Sequence, residues 1–183
     1  IENAEQAQIA VLDHRRGARV GADDAEAIDL APGGHLAGGV GLPPGHEGEF
    51  NLTSTVQKIA GQQAFGEAGV KPSDIDVAQI YDSFTITALL QFEDLGFCAK
   101  GEGGAFVEGG RIELGGELPV NTHGGLLSHS HAGMPGGLFH MIEAVKQVRG
   151  ECGPRQVENV QVALATNVSA VASNHSVCLF GKD

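Results

Sequence analysis

The chain has 183 residues, 42% of them apolar, which is enough for one domain with its own core and too apolar for a disordered segment. Its formal net charge of −12 lacks the basic footprint that nucleic acid or an anionic membrane surface attracts, and no apolar run approaches the ~20 residues of a membrane-spanning helix. The three cysteines, Cys98, Cys152 and Cys178, are odd in number and far apart, so neither a disulfide framework nor a CxxC metal knuckle is expected and a reducing cytoplasm is the default compartment.

The opening IENAEQAQIAVLD reads like the middle of a protein, and AQIAVL at 7–12 has the length and apolarity of a strand. Residues 13–50 have no clear period; a strand is expected near Ala27–Leu30, followed by a long Gly/Pro loop in which His35 and His46 are exposed. Residues 1–50 are thus expected to be an N-terminal strand and loop region of the same domain whose core is 51–183. Thr53 or Ser54 can cap a helix that runs to Ala68, with Val56, Ile59, Ala60, Ala64 and Ala68 as its buried stripe and Gly69 as its stop. After a turn at Lys71–Asp74, IDVAQI (75–80) reads as a strand that delivers Tyr81 and Asp82 to its end. Ser83 then caps a helix over Phe84–Leu95, closed by Gly96. This helix–turn–strand–helix succession belongs to an α/β architecture. Residues 97–118 are rich in glycine pairs, with Ile112 and Leu114 flanking a short hairpin. GEGG has neither a preceding strand nor a following GK[ST], so it is not a phosphate loop.

The stretch Pro119–Gly137, PVNTHGGLLSHSHAGMPGG, is poor material for regular structure and good material for close approach of main chain to a ligand. His123, His129 and His131 lie within it, where imidazoles can move a proton near neutral pH. Pro135 opens a helix to Arg149 whose apolar positions Leu138, Met141, Ile142, Val145 and Val148 form a face of core type. VQVALAT (160–166) and HSVCLF (175–180) read as two strands paired as a hairpin, with Asn167–Asn174 as their loop. Tyr81, the one tyrosine, can donate to a developing oxyanion from its strand end, and His131, just ahead of a helix N-terminus, can act as base or donor. His140 and His175 are expected to be structural. The H-x-H spacing has no acidic or cysteine support, so no metal site is expected. Cys178 sits in an apolar strand and Cys98 follows a helix C-terminus, so neither suits a nucleophile.

The run IDVAQIYDSFTITALLQFEDLGFCAKGEGGAFVEGG, followed by LPVNTHGGLLSHSHAGMPGGLFHMIEAVKQVRGE, resembles the C-terminal half of the thiolase superfamily, closest to its sterol-carrier-type and lipid-transfer-protein branch. The resemblance implies a thiolase-like half-fold, a mixed sheet of about five strands covered by helices. Two such halves stack in an α-β-α-β-α sandwich, and the apolar stripe of helix 84–95 would serve that contact. The family's four-residue box at a strand end corresponds to Tyr81-Asp82-Ser83-Phe84. Tyrosine in its first place implies a direct phenol donor, a feature of the aldolase-like branch, with Asp82 orienting. The family's G-H-P corresponds to Ser130-His131-Ala132, so His131 inherits the role of base and oxyanion donor. His123, Gly124, Gly125, His129 and Ser130 would line the substrate. The third motif, C-x-G, has no counterpart near Asn167–Ala170, and the family's nucleophilic cysteine belongs to the other half.

The resemblance therefore implies an acyl-CoA enzyme, of acetyl-CoA acetyltransferase or aldolase type, making or breaking a carbon–carbon bond next to a CoA thioester. Thiolysis or condensation and retro-aldol cleavage both stand open. The thioester is the substrate, and no covalently bound cofactor is expected. The partner is an N-terminal thiolase half or a separate subunit, in a homo- or hetero-oligomer; an OB-fold/zinc-ribbon protein is a further candidate. A non-catalytic scaffold subunit is the competing reading.

Overall fold

The computed structural model describes residues 8–13, 18–20, 33–37, 53–133, 135–169 and 174–182; before residue 53, and at residues 169 and 174, it describes the backbone alone. The chain forms β1 (Gln8–Asp13), β2 (Ala18–Val20), β3 (Gly33–Ala37), α1 (Gln57–Ala68), β4 (Val77–Gln79), α2 (Thr85–Leu95), α3 (Gly103–Val107), α4 (Gly136–Arg149), β5 (Val162–Ser169) and β6 (Asn174–Gly181). The described strands make one mixed sheet in the order β2-β1-β3-β6-β5-β4, parallel at β1–β3 and β4–β5 and antiparallel elsewhere. An α/β half-fold was expected and is found. Among the described residues the sheet has six strands against about five expected, and both β2 and β3 lie where no strand is expected.

β3 falls in the stretch expected to be a Gly/Pro loop. Two neighbours explain it: Gly33 and Gly34 pair with Gln8 and Ile9, and Leu36 and Ala37 pair with Cys178 and Val177. Long-range pairing on both sides overrides weak local propensity. The strand expected near 27–30 lies outside the described residues.

Side chains on β4, β5 and β6 alternate between two cores. Ala78, Ile80, Leu164, Val177 and Leu179 pack against Ala60, Ala64 and Phe65 of α1 and Phe92 and Leu95 of α2. Val77, Ala163, Ala165, Cys178 and Phe180 pack against Ala144 and Val148 of α4. Helices α1 and α2 therefore cover one face and α4 the other.

Helix ends follow the sequence closely. Gly69, Gly96 and Gly150 each close a helix in the left-handed region, at φ 67°, 83° and 73°. Helix starts do not. Ser54 turns away from α1, its Oγ donating to Asp94 Oδ1 at 2.7 Å; Thr55 donates from both N and Oγ1 to Asp94 Oδ2, while its Oγ1 accepts from Gln57 N at 3.2 Å and so meets the start of α1 in place of Ser54. Ser83 is likewise displaced by Thr87, whose Oγ1 accepts from Phe84 N at 3.2 Å and donates to Phe84 O. The hairpin expected around Ile112 and Leu114 is reduced to two bonds, Leu118 N to Arg111 O and Val120 N to Ile112 O, after a short helix α3 that glycine pairs had obscured.

The buried stripes also differ from the apolar pattern. In α1 the buried positions are Gln57, Ala60, Gly61, Ala64 and Phe65, while Ile59 is exposed. In α4 they are Gly136, Gly137, His140, Glu143, Ala144, Gln147 and Val148, whereas Leu138 is 49% and Ile142 43% exposed. Of the expected core face, Val148 is buried and Met141 and Val145 pack against the same core, while Leu138 and Ile142 are turned aside because polar partners from other elements satisfy Glu143 and Gln147. Among the described residues no helix is long and apolar enough to cross a membrane.

Candidate functional site

β4 ends just before Tyr81, and the backbone of Tyr81 is clamped from the α2 side. Its N–H donates to Thr166 Oγ1 at 2.8 Å, its carbonyl accepts from Gln91 Nε2 at 2.8 Å, and Thr166 Oγ1 donates to Gln91 Oε1 at 2.7 Å. Gln91 and Thr166 are both buried, so this triangle has no water to exchange with and holds the strand end in one place. The tyrosine ring leaves on the opposite, α4 face. Its hydroxyl lies 3.5 Å from His131 Nε2, and the two rings meet edge to face at 6.2 Å. Burial, reinforced by the negative charge of Asp82, raises the phenol pKa, so the hydroxyl stays protonated and available as a donor.

His131 reaches this position through an element that its sequence did not announce. Gly125–His129 form one π-helical turn, entered through Gly124 at φ 106° and Gly125 at φ 63°. Asp82 holds that turn: Oδ1 accepts from Leu126 N at 2.7 Å and Oδ2 from Leu127 N at 3.5 Å. A Cβ at Gly125 would collide with the Asp82 carboxylate, so the turn closes over the aspartate only because residue 125 has none. The turn leads to Ser130 and the exposed His131, and then into α4 at Gly136. Asp82 thus acts on the loop that carries His131.

His123 and His140 form an inner pair with the exposed His129 at its edge, while His175 lies apart, buried against Gln57 of α1. The His123 ring lies 5.4 Å from that of His129 and 5.0 Å from that of His140. His123 Nδ1 is 3.0 Å from Gln79 Oε1, which makes it the protonated ring nitrogen. Gln79 Nε2 in turn donates to Thr122 Oγ1 at 3.1 Å, and Thr122 donates to Glu143 Oε1 at 2.8 Å. Arg155 completes the chain with two bonds to Glu143, at 3.2 and 3.1 Å. Burial alone would raise the Glu143 pKa, but the Arg155 and Thr122 bonds outweigh it and hold the carboxyl below its ordinary range. His140 is fully buried, and its Nε2 stands 3.7 Å from Asp82 Oδ1. Burial, with His123 beside it, pushes its pKa down to about 3, so it is neutral and the carboxylate nearby makes no ion pair with it.

No thiol serves this group. Burial raises the Cys178 thiol to about 12 and the Cys152 thiol to about 11, and Cys98, also raised by burial, follows the C-terminal end of α2. Among the described residues no group of three or more His, Cys, Asp or Glu side chains could hold a metal ion.

Of the candidates read from sequence, Tyr81 and His131 meet directly and Asp82 meets the Gly124–Gly125 entry. His123 faces inward, while His129 packs edge-on against Phe139 at 5.4 Å. Sequence reading missed Gln91, Thr166 and the Gln79–Thr122–Glu143–Arg155 chain. Isolated glutamines and threonines carry no spacing signal; only the apolar partners around them hint at burial.

The family model described as Thiolase C-terminal domain-like matches residues 46–182. The chain is 38% identical over 123 residues to an acetyl-CoA acetyltransferase of Methanothermobacter thermautotrophicus, covering 67% of this chain and 32% of that protein. It is 46% identical over 113 residues to a steroid side-chain-cleaving aldolase of Thermomonospora curvata, covering 60% and 28% respectively. It is 41% identical over 113 residues to sterol carrier protein 2 of Oryctolagus cuniculus, covering 62% and 21%. Among solved structures, the Ltp2-ChsH2(DUF35) aldolase superposes with a TM-score of 0.70 at 37% identity, over 81% of this chain and 38% of that one. The chain spans about a third or less of the length of these curated relatives. The two motifs, the fold and these similarities agree: the chain belongs to the thiolase C-terminal domain-like family.

Proposed function

We propose that this chain is the C-terminal half of a thiolase-like acyl-CoA enzyme that cleaves a carbon–carbon bond next to a CoA thioester by retro-aldol chemistry. The observation that carries the reading is the Tyr81–His131 pair: a protonated phenol and an imidazole 3.5 Å apart, with no usable thiol beside them. In a 3-hydroxyacyl-CoA, His131 takes the proton of the hydroxyl group, the Cα–Cβ bond breaks, and its electrons pass to the thioester as an enolate. Tyr81 donates to the enolate oxygen, a contact made most strongly in the transition state. The carbonyl product leaves, and the proton held by His131 quenches Cα to give the shortened acyl-CoA. Asp82 keeps the loop of His131 in register, and His123, Gly124, Gly125, His129 and Ser130 form the wall along which the thioester lies. No covalently bound cofactor enters these steps. An N-terminal half or separate subunit, with an OB-fold/zinc-ribbon protein as a further candidate, completes the site in a homo- or hetero-oligomer.

Acyl transfer is the second reading, favoured by the histidine itself: in this family it activates a cysteine, and such a cysteine on the other half would face His131. The test is turnover of 3-hydroxyacyl-CoA esters by the full-length or assembled enzyme. Tyr81→Phe and His131→Ala are each expected to lower kcat about 10²-fold or more. An acyl-enzyme seen by intact mass would replace the retro-aldol reading with acyl transfer. No turnover of either kind would make the chain a scaffold subunit.

A further inference from the structure

The parallel register of β4 and β5 pairs Val77 with Ala163 and Gln79 with Ala165. All four face α4: Val77, Ala163 and Ala165 pack against it, and Gln79 reaches Glu143 through Thr122. Side chains alternate along a strand, so two residues further on the same face is presented again. On one strand end that residue is Tyr81, and on the other it is Asn167. The Tyr81 N–H bond to Thr166 shows that the two strands are still side by side there. Neighbouring strands lie roughly 4.8 Å apart, so Tyr81 and Asn167 leave the sheet as adjacent side chains.

The first turn of α4 confirms the adjacency. A Cβ at Gly136 would lie 3.9 Å from both Tyr81 Cε2 and His131 Cδ2, and a Cβ at Gly137 would collide with the Asn167 amide. Tyr81, His131 and Asn167 thus meet the same turn of α4, where the missing Cβ of Gly136 leaves room for Leu126 and that of Gly137 leaves room for the Asn167 amide. The Asn167 amide is oriented as well: Oδ1 accepts from Val168 N at 2.9 Å, which assigns the acceptor end to its own strand. Among the described residues nothing receives a hydrogen bond from Nδ2.

We infer that Asn167 is a substrate-binding residue whose Nδ2 donates to the thioester oxygen alongside the Tyr81 hydroxyl. The inference rests on the proposed function and deepens it by supplying the second donor of a two-donor oxyanion site. A carboxamide carries no charge and does not titrate, so it stabilises the enolate oxygen without competing with His131 for the proton.

Enolisation of acetyl-CoA isolates this step without knowledge of the leaving group. Deuterium entry at the acyl Cα in heavy water is read by NMR on the full-length or assembled enzyme. His131 removes the Cα proton, the enolate forms, and deuteron return from exchanged His131 gives labelled acetyl-CoA. Asn167→Ala is expected to slow exchange about 10²-fold. Asn167→Asp is expected to slow it further, because a carboxylate would stand beside the developing enolate. A structural role gives the opposite order, since aspartate keeps the acceptor for Val168 N and alanine does not. Gly137→Ala, which displaces the amide without changing it, is expected to match Asn167→Ala and serves if the Asp variant fails to assemble. The inference is overturned if Asn167→Asp exchanges as fast as Asn167→Ala or faster, or if Gly137→Ala is unaffected, while Tyr81→Phe is slow. No exchange in the wild type, or an undiminished rate in Tyr81→Phe, removes the proposed function itself and the Asn167 role with it.

Discussion

On the side covered by α1 and α2, the sheet meets its helices largely through Ile80, Phe92, Leu164 and Leu179, an apolar contact into which the paired Gln91–Thr166 and Gln57–His175 side chains are set. On the side covered by α4, much of the contact is made by His123, His140, Glu143 and Gln147, while Leu138 and Ile142 of the same helix face outward. The first face is suited to stability, because burial of apolar area is non-directional and tolerant. The second is suited to placing atoms, because the chain Gln79–Thr122–Glu143–Arg155 closes its hydrogen bonds in one geometry. The strand ends that carry Tyr81 and Asn167 open onto the second face, and the Gln91–Thr166 triangle on the first face keeps Tyr81 still.

That contrast can be tested by damage on each side. The largest loss is expected from Phe92→Ala, about 3–5 kcal/mol in a urea titration, because the ring is fully buried against Phe97 and Phe106. Arg155→Met should cost about 1–2 kcal/mol. It strands the buried Glu143 carboxylate, but the guanidinium is itself half exposed and its gain is partly screened. His140→Leu should change the pH dependence of stability. The folded pKa of His140, about 3, lies below that of a free imidazole, so the unfolded chain binds the extra proton first. Stability is then full above about pH 6.5 and falls as pH drops towards 3, by up to about 1.4 kcal/mol per pH unit. The leucine variant should show a correspondingly flatter acid limb; an unchanged slope would mean that His140 is protonated in the folded state. The smallest effect is expected from Leu138→Ser, no more than about 0.5 kcal/mol. A cost well above 1 kcal/mol would show that this apolar face is covered in the full-length protein.

How far the sequence could be read follows the same division. The ends of α2 and α4 were legible because glycine at a left-handed position and proline at a helix start act locally. The β5–β6 hairpin was legible from alternation, although its strands extend to Ser169 and Asn174, beyond the expected loop boundary. The strand end at Tyr81 and the helix entry after His131 were also legible, and with them the pair that meets. The buried face of α4 was legible at Met141, Val145 and Val148 but not at its polar positions. The apolar period pointed to Leu138 and Ile142, and the partners that bury Glu143 and Gln147 instead, Thr122 and Arg155, come from outside the helix. The caps at Ser54 and Ser83 failed for a related reason: Asp94, some 40 residues away, competes for the first, and Thr87 outbids the second. The sequence places Asn167 in a loop, because its strand character depends on its partner Ser176.

The contact between Asp82 and Gly125 makes two distant codons answer to each other. Every single-base change in the first two positions of a glycine codon adds a side chain or stops the chain, and any side chain at 125 lands on the Asp82 carboxylate while holding a φ of 63°. In a saturation library position 125 should therefore be empty of tolerated variants. Shortening residue 82 would reopen the space, but it would remove the acceptor for Leu126 and Leu127. A suppressor of a Gly125 variant has no single-step route through Asp82, so the two positions should be inherited as a block wherever the π-turn is retained.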